Sequence, residues 1–207
     1  CAGYLNFSET IKILRARGDA MQNSVPKGEG GMLAVLGLKI EDLEKILNDN
    51  KNKYEVQVAN DNSDGQIVLS GKTKDLQILS EFFKNNKIKN IKLPVSAPFH
   101  CNLMSKATEV MTKELQKIEF IQSKNILISN VTAKEISDIR DLKSLLINQI
   151  EKRVRWRESI LYMINKGVNQ FIEIGPGKVL SGLVKRINRD VKISSINSQS
   201  DIESLNV

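Results

Sequence analysis

Apolar residues recur at helical spacing from Ile11 and Leu14 through Ala16 to Ala20 and Met21, and Pro26 with Gly28, Gly30 and Gly31 closes the run, which predicts a helix followed by a turn. From Gly31 the period changes. Met32-Leu33-Ala34-Val35-Leu36 is a continuous apolar run of strand length, Leu43, Ile46 and Leu47 mark one helix face, and Tyr54, Val56 and Val58 alternate with Glu55 and Gln57 as in a half-buried strand. Asn60-Asp61-Asn62-Ser63-Asp64-Gly65 is rich in turn formers and predicts a loop. Gln66-Ile67-Val68-Leu69 predicts a strand, Leu76, Leu79 and Phe83 a helix, and Ile91, Leu93 and Val95 a strand.

The order over residues 31–94 is therefore β-α-β-β-α-β, that of a ferredoxin-like unit. After Pro98 longer alternation returns. It comprises a helix with Leu103, Ala107, Val110 and Leu115, a strand at Ile126-Leu127-Ile128, helices around 142–146 and 160–164, a strand at Phe171–Ile174, a helix at 180–187 and a strand at 191–193. Strands alternating with helices imply a parallel sheet. The expected fold class is thus α/β: a core of residues 1–30 and 95–207 interrupted by a ferredoxin-like insert at 31–94.

A length of 207 residues suits one domain with an insert, at ~100–200 residues per domain. Two cysteines, Cys1 and Cys101, without C-x-x-C spacing, argue against a disulfide scaffold or a thiolate metal site. No apolar run reaches the ~18–20 residues of a membrane span and no signal-peptide pattern opens the chain, so a cytoplasmic protein without a membrane partner is expected. The start at Cys1, running directly into an amphipathic pattern, reads as a chain cut in mid-domain. The net charge of +7 favours acidic or phosphate-bearing partners, and the densest basic cluster, Lys152, Arg153, Arg155 and Arg157, surrounds the single tryptophan, Trp156.

His100 is the sole histidine and stands where the insert hands back to the core, a place where clefts form and where a general base would sit; filling hydrogen bonds at a helix start is the alternative. Neighbouring Cys101 points ~100° away on a helix and reads as a packing residue. Arg17 offers a bidentate fork to a carboxylate, or is a surface ion-pairing group. Gly175-Pro176-Gly177-Lys178 follows a strand and opens a helix, but Ile172, Val179 and Leu180 stand where phosphate-binding and dinucleotide motifs need other residues, so a tight turn is expected. No metal site or cofactor is predicted.

Several segments together resemble the bacterial malonyl-CoA:acyl carrier protein acyltransferases: Arg15-Ala16-Arg17-Gly18 through Met21-Gln22, Gly30-Gly31-Met32-Leu33-Ala34, Asn60-Asp61-Asn62-Ser63 with Gly65-Gln66-Ile67-Val68, Leu93 through His100, Val154-Arg155-Trp156, and Glu173 through Leu180. The resemblance spans nearly the whole chain and implies a hydrolase-like acyltransferase core with a ferredoxin-like insert. It also implies ping-pong transfer of malonyl from malonyl-CoA to an acyl carrier protein through a serine on a G-x-S-x-G elbow, in fatty acid biosynthesis. Carried over residue by residue, it makes His100 the general base and acid, Arg17 the clamp for the malonyl carboxylate, and Asn62, Phe99 and Met21 substrate-pocket residues. The backbone carbonyl of Arg155, at a position where family members often have glutamine, would orient the histidine. Lys178, Lys185, Arg186 and Arg189 become candidates for docking the carrier protein. The elbow serine would lie roughly ten residues before Cys1, so the chain reads as the C-terminal part of such an enzyme.

Three rivals remain at this stage. An acyltransferase domain of a polyketide synthase shares fold and mechanism, and a non-catalytic remnant that binds carrier protein fits the missing serine. An RNA-binding module shares the β-α-β-β-α-β order, but Ile67-Val68-Leu69 and Met32-Leu33-Ala34 lack stacking aromatics, so no nucleic-acid partner is expected. A monomer is the default.

Overall fold

The computed structural model describes residues 2–50 and 53–205; Cys1 lies outside them. Helix α1 (Phe7–Gln22) begins where the Asn6 side chain accepts the Glu9 amide at 2.9 Å, satisfying one of the otherwise unpaired first-turn donors. Strand β1 (Gly30–Leu36), helix α2 (Ile40–Asp49), strands β2 (Val56–Ser63) and β3 (Gln66–Lys72), helix α3 (Thr73–Asn85) and strand β4 (Lys89–Lys92) follow. The four strands form one antiparallel sheet in the order β2-β3-β1-β4.

The unbroken apolar run of β1 has a simple cause: both of its faces are covered. Leu33 and Val35 point to α2 and α3, packing with Leu43, Ile67, Leu69, Leu76, Leu79 and Phe83. Met32 and Ala34 point the other way, onto Ala59, Val68, Leu93, Val95 and Phe99. Strand β1 lies so close to the chain at Pro98 that a Cβ on Gly30 would overlap the proline ring.

Two sequence expectations fail in this sheet. Asn60–Ser63 is not loop but the end of β2, paired with Val68, Ile67 and Gln66 of β3 across two register shifts, so the turn shrinks to Asp64-Gly65. Ladder hydrogen bonds to an already buried neighbour outweigh the local turn preference of Asn and Asp. Strand β4 ends at Lys92, short of Leu93 and Val95.

A short 3₁₀ turn (Asn102–Met104) leads into α4 (Ser105–Gln116), which packs along α1 around Met21, Ala97, Met104, Ala107, Met111, Leu115 and Ile150. Helices α5 (Ile139–Asn148) and α6 (Trp156–Asn165), strand β5 (Gln170–Ile174), helix α7 (Val179–Ile187), strand β6 (Lys192–Ile196) and helix α8 (Gln199–Glu203) complete the order. The expected strand at Ile126–Ile128 is only an isolated bridge, Ile128 to Glu135. Among the described residues the parallel sheet consists of β5 and β6, and α8, with its Ser198/Asp201 capping box, was not anticipated. No described helix is long and apolar enough to cross a membrane. The molecule is thus a mixed α/β structure.

Candidate active site

His100 ends the segment Leu93–His100 that leaves β4, and its backbone is left-handed, φ 59°. For a residue with a Cβ this conformation costs about 1 kcal/mol and persists only where neighbours over-determine it. They do so here from three sides. The His100 Nδ1 lies 2.8 Å from the Gln149 carbonyl oxygen at the end of α5. The buried Cys101 thiol donates to the Pro98 carbonyl at 3.1 Å, and the Asn102 amide donates to the Gln57 Oε1 at 2.7 Å.

A carbonyl can only accept, so the neutral imidazole carries its proton on Nδ1 and leaves Nε2 with a free lone pair. Burial pushes the His100 pKa below its ordinary 6.5; the bond to Gln149 works against that shift, and the Arg17 charge adds to it. The ring is therefore neutral near pH 7 and ready to take a proton. Burial raises the Cys101 pKa, which keeps it a thiol, in line with its packing role.

Arg17, half-buried on α1, has its own pKa lowered by burial, and among the described residues it has no ion-pair partner. His100 and Arg17 are thus brought within electrostatic reach of each other across 83 positions of sequence. Phe99 is half-buried and packs against both the α1–α4 core and the second face of the β-sheet. Asn62 is half-buried near the end of β2. His100 also lines a cleft of ≈ 540 Å³ between α2, β2 and the segment joining α5 to α6, with Tyr54, Gln57, Val58, Glu151 and Arg153.

Two residues expected at the site have other work. Met21 is 3% exposed and belongs to the α1–α4 core with Ala97, Met104 and Met111. The Arg155 carbonyl is occupied by the Ser159 amide at 2.9 Å and the Ser159 hydroxyl at 2.8 Å, because Arg155 caps α6. The carbonyl at His100 belongs to Gln149 instead. A glutamine was the sequence signal for this role, and it stands six positions earlier than where it was sought.

The basic cluster around Trp156 is also neutralised internally. Arg153 pairs with Glu44 at 2.6 Å, Arg155 with Glu158, and Arg157 with Asp61 at 3.0 Å. Lys152 is the one member without an ion-pair partner among the described residues. At the Gly175–Lys178 turn, the Glu173 carboxylate accepts the amides of Leu180 (3.1 Å) and Ser181 (2.7 Å), so an internal anion fills the start of α7. Those bonds, from Ser181 foremost, hold the Glu173 carboxyl below the usual range.

The chain, a mixed α/β fold, belongs to the acyl transferase domain family, whose model matches residues 1–204. Within that class it is similar to malonyl CoA-acyl carrier protein transacylases. It is 42% identical over 204 residues to the malonyl CoA-acyl carrier protein transacylase of Bacillus subtilis, covering 98% of this chain and 64% of that protein. It is 38% identical to the Staphylococcus aureus protein of the same name, covering 99% and 67%. The crystal structure of malonyl CoA-acyl carrier protein transacylase from Clostridium perfringens superposes with a TM-score of 0.94 at 40% identity, covering 98% of this chain and 64% of that one. A malonyl-transacylase in complex with a type II PKS acyl-carrier protein matches with a TM-score of 0.93 at 32% identity. The chain thus spans about two thirds of the length of these proteins.

Proposed function

We propose that this chain is the histidine-bearing part of a malonyl-CoA:acyl carrier protein acyltransferase of fatty acid biosynthesis. The observation that carries the reading is the His100 ring, with Nδ1 fixed on a carbonyl, Nε2 free and Arg17 near. A serine from a segment preceding Cys1 supplies the nucleophile. In the first half-reaction His100 Nε2 takes the serine proton as Oγ attacks the thioester carbonyl of malonyl-CoA, then returns it to the departing CoA sulfur. In the second half the carrier protein's phosphopantetheine thiol gives its proton to Nε2 and attacks the acyl ester, and Nε2 restores the proton to the serine.

Arg17 pairs with the malonyl carboxylate. A half-buried guanidinium without a carboxylate partner discriminates against an acetyl group, since a buried charge left unpaired costs about 3–5 kcal/mol. Phe99, beside His100, crowds a methyl branch on the substrate, and Asn62 contributes to the acyl pocket. The strand order β2-β3-β1-β4 supports reading residues 31–94 as a ferredoxin-like insert in a hydrolase-like core formed by 1–30 and 95–207. The enzyme works as a cytoplasmic monomer. Lys178, Lys185 and Arg189 are offered to the acidic carrier protein, whereas Arg186 is bound to Gln66.

The intact mass of the protein from its source, measured before and after brief exposure to malonyl-CoA, tests this reading. A gain of one malonyl group is expected. A chain that takes no adduct and passes no malonyl to carrier protein would overturn it.

A further inference from the structure

We infer that Gln57, an exposed residue of β2, is a positioning residue for His100, holding the histidine loop from the side of the insert; this rests on the acyl-transfer reading above. Three hydrogen bonds pin the strained loop on its far side from β4. One grips the ring from α5, and the Cys101 thiol bond is internal to the loop. The third joins Gln57 Oε1 to the Asn102 amide at 2.7 Å across 45 residues.

The Asn102 amide is a first-turn donor of the 3₁₀ helix, and no side chain of its own N-cap residue, Cys101, satisfies it. Gln57 fills that gap. Gln57 is exposed, so core packing does not account for a long polar side chain there. Strand β2 is also an edge strand. Its position therefore reaches the residue two places after His100 through a single amide.

The consequence is that the insert helps set the geometry of the base. Without the Gln57 acceptor, the left-handed backbone at His100 loses one of its three restraints, and the ring samples positions in which Nδ1 no longer meets the Gln149 carbonyl. The charged groups around the ring are Arg17 and, in the cleft, Glu44, Glu151, Lys152 and Arg153. Gln57→Met leaves all of them in place and adds no charge, whereas Gln57→Glu adds one carboxylate to the cleft.

The test compares Gln57→Met, which keeps the length and removes the acceptor, with Gln57→Glu, which keeps the acceptor. Imidazole nitrogen NMR reads the tautomer, with the His100 signal identified by its loss in His100→Gln. Q57M is expected to lower the Nδ1–H population and to reduce kcat for malonyl transfer roughly tenfold, with KM for malonyl-CoA and Tm little changed. Q57E is expected to keep the wild-type tautomer. A Q57M protein with wild-type tautomer and kcat, or a Q57E protein that loses the Nδ1–H tautomer as Q57M does, would overturn the inference. Absence of malonyl transfer in the wild type would instead overturn the functional reading, and the tautomer measurement would still decide the role of Gln57.

Discussion

His100 combines a left-handed backbone, a ring bonded through Nδ1 and a pKa that burial pushes down against the opposing effect of that bond. The folded pKa lies below the unfolded 6.5, so on acidification the unfolded chain takes up the proton first. Stability should therefore be fully present above about pH 6.5 and fall as pH drops through that value towards the folded pKa. Thermal melts across this range should slope less steeply in His100→Gln than in the wild type. Malonyl transfer should also persist to lower pH than an ordinary histidine would allow, which a kcat/KM profile on the intact enzyme checks. At Arg17 the expectation concerns specificity: Arg17→Ala should lose most malonyl preference while retaining some acetyl transfer, read as relative rates with the two CoA esters. Unchanged relative rates would remove Arg17 from the role of clamp.

Helix α6 is tied to strand β2 by a nearly buried ion pair. Asp61 is 2% exposed at its side chain, and Arg157 meets it through Nε at 3.1 Å to both oxygens and through Nη2 at 3.0 Å. Beside it the Asp61 amide donates to the Val154 carbonyl at 2.9 Å, and the Val154 amide donates to the Ala59 carbonyl at 2.8 Å. Removing Asp61 leaves Arg157 only the exposed Asp64 carboxylate at 3.6 Å, so Asp61→Ala should cost about 3 kcal/mol, at the low end for a broken buried pair, whereas replacing both with leucine should cost much less. A double-mutant cycle by denaturant unfolding measures the difference. Within the sheet, a Cβ on Gly71 would overlap the Glu55 carbonyl oxygen of β2's approach. Gly71→Ala should lower stability by roughly 1–3 kcal/mol through forced separation of the β2 and β3 backbones, seen as a reduced Tm.

Over the molecule as a whole, apolar side chains remain uncovered on α1 and around β5. Phe7, Ile11 and Leu14 share one face of α1, and Ile174 and Val179, each more than 70% exposed, flank the turn into α7. Residues 1–207 produced alone should therefore associate as concentration rises, and Leu14→Lys with Ile174→Lys should suppress it, measured by light scattering. Most helices and strands were legible in the chain because their periods are local: Leu33 and Val35 alternate with Met32 and Ala34 whatever lies elsewhere. The family was legible too, through motifs that are contiguous in sequence. Other features depended on segments far apart, namely the carbonyl that holds His100, which is 49 residues away, and the carboxylate that neutralises Arg157, which is 96 residues away. Asn60–Ser63 became strand and Met21 became core for the same reason, since pairing and burial by distant partners outweigh the preferences that a residue shows among its neighbours.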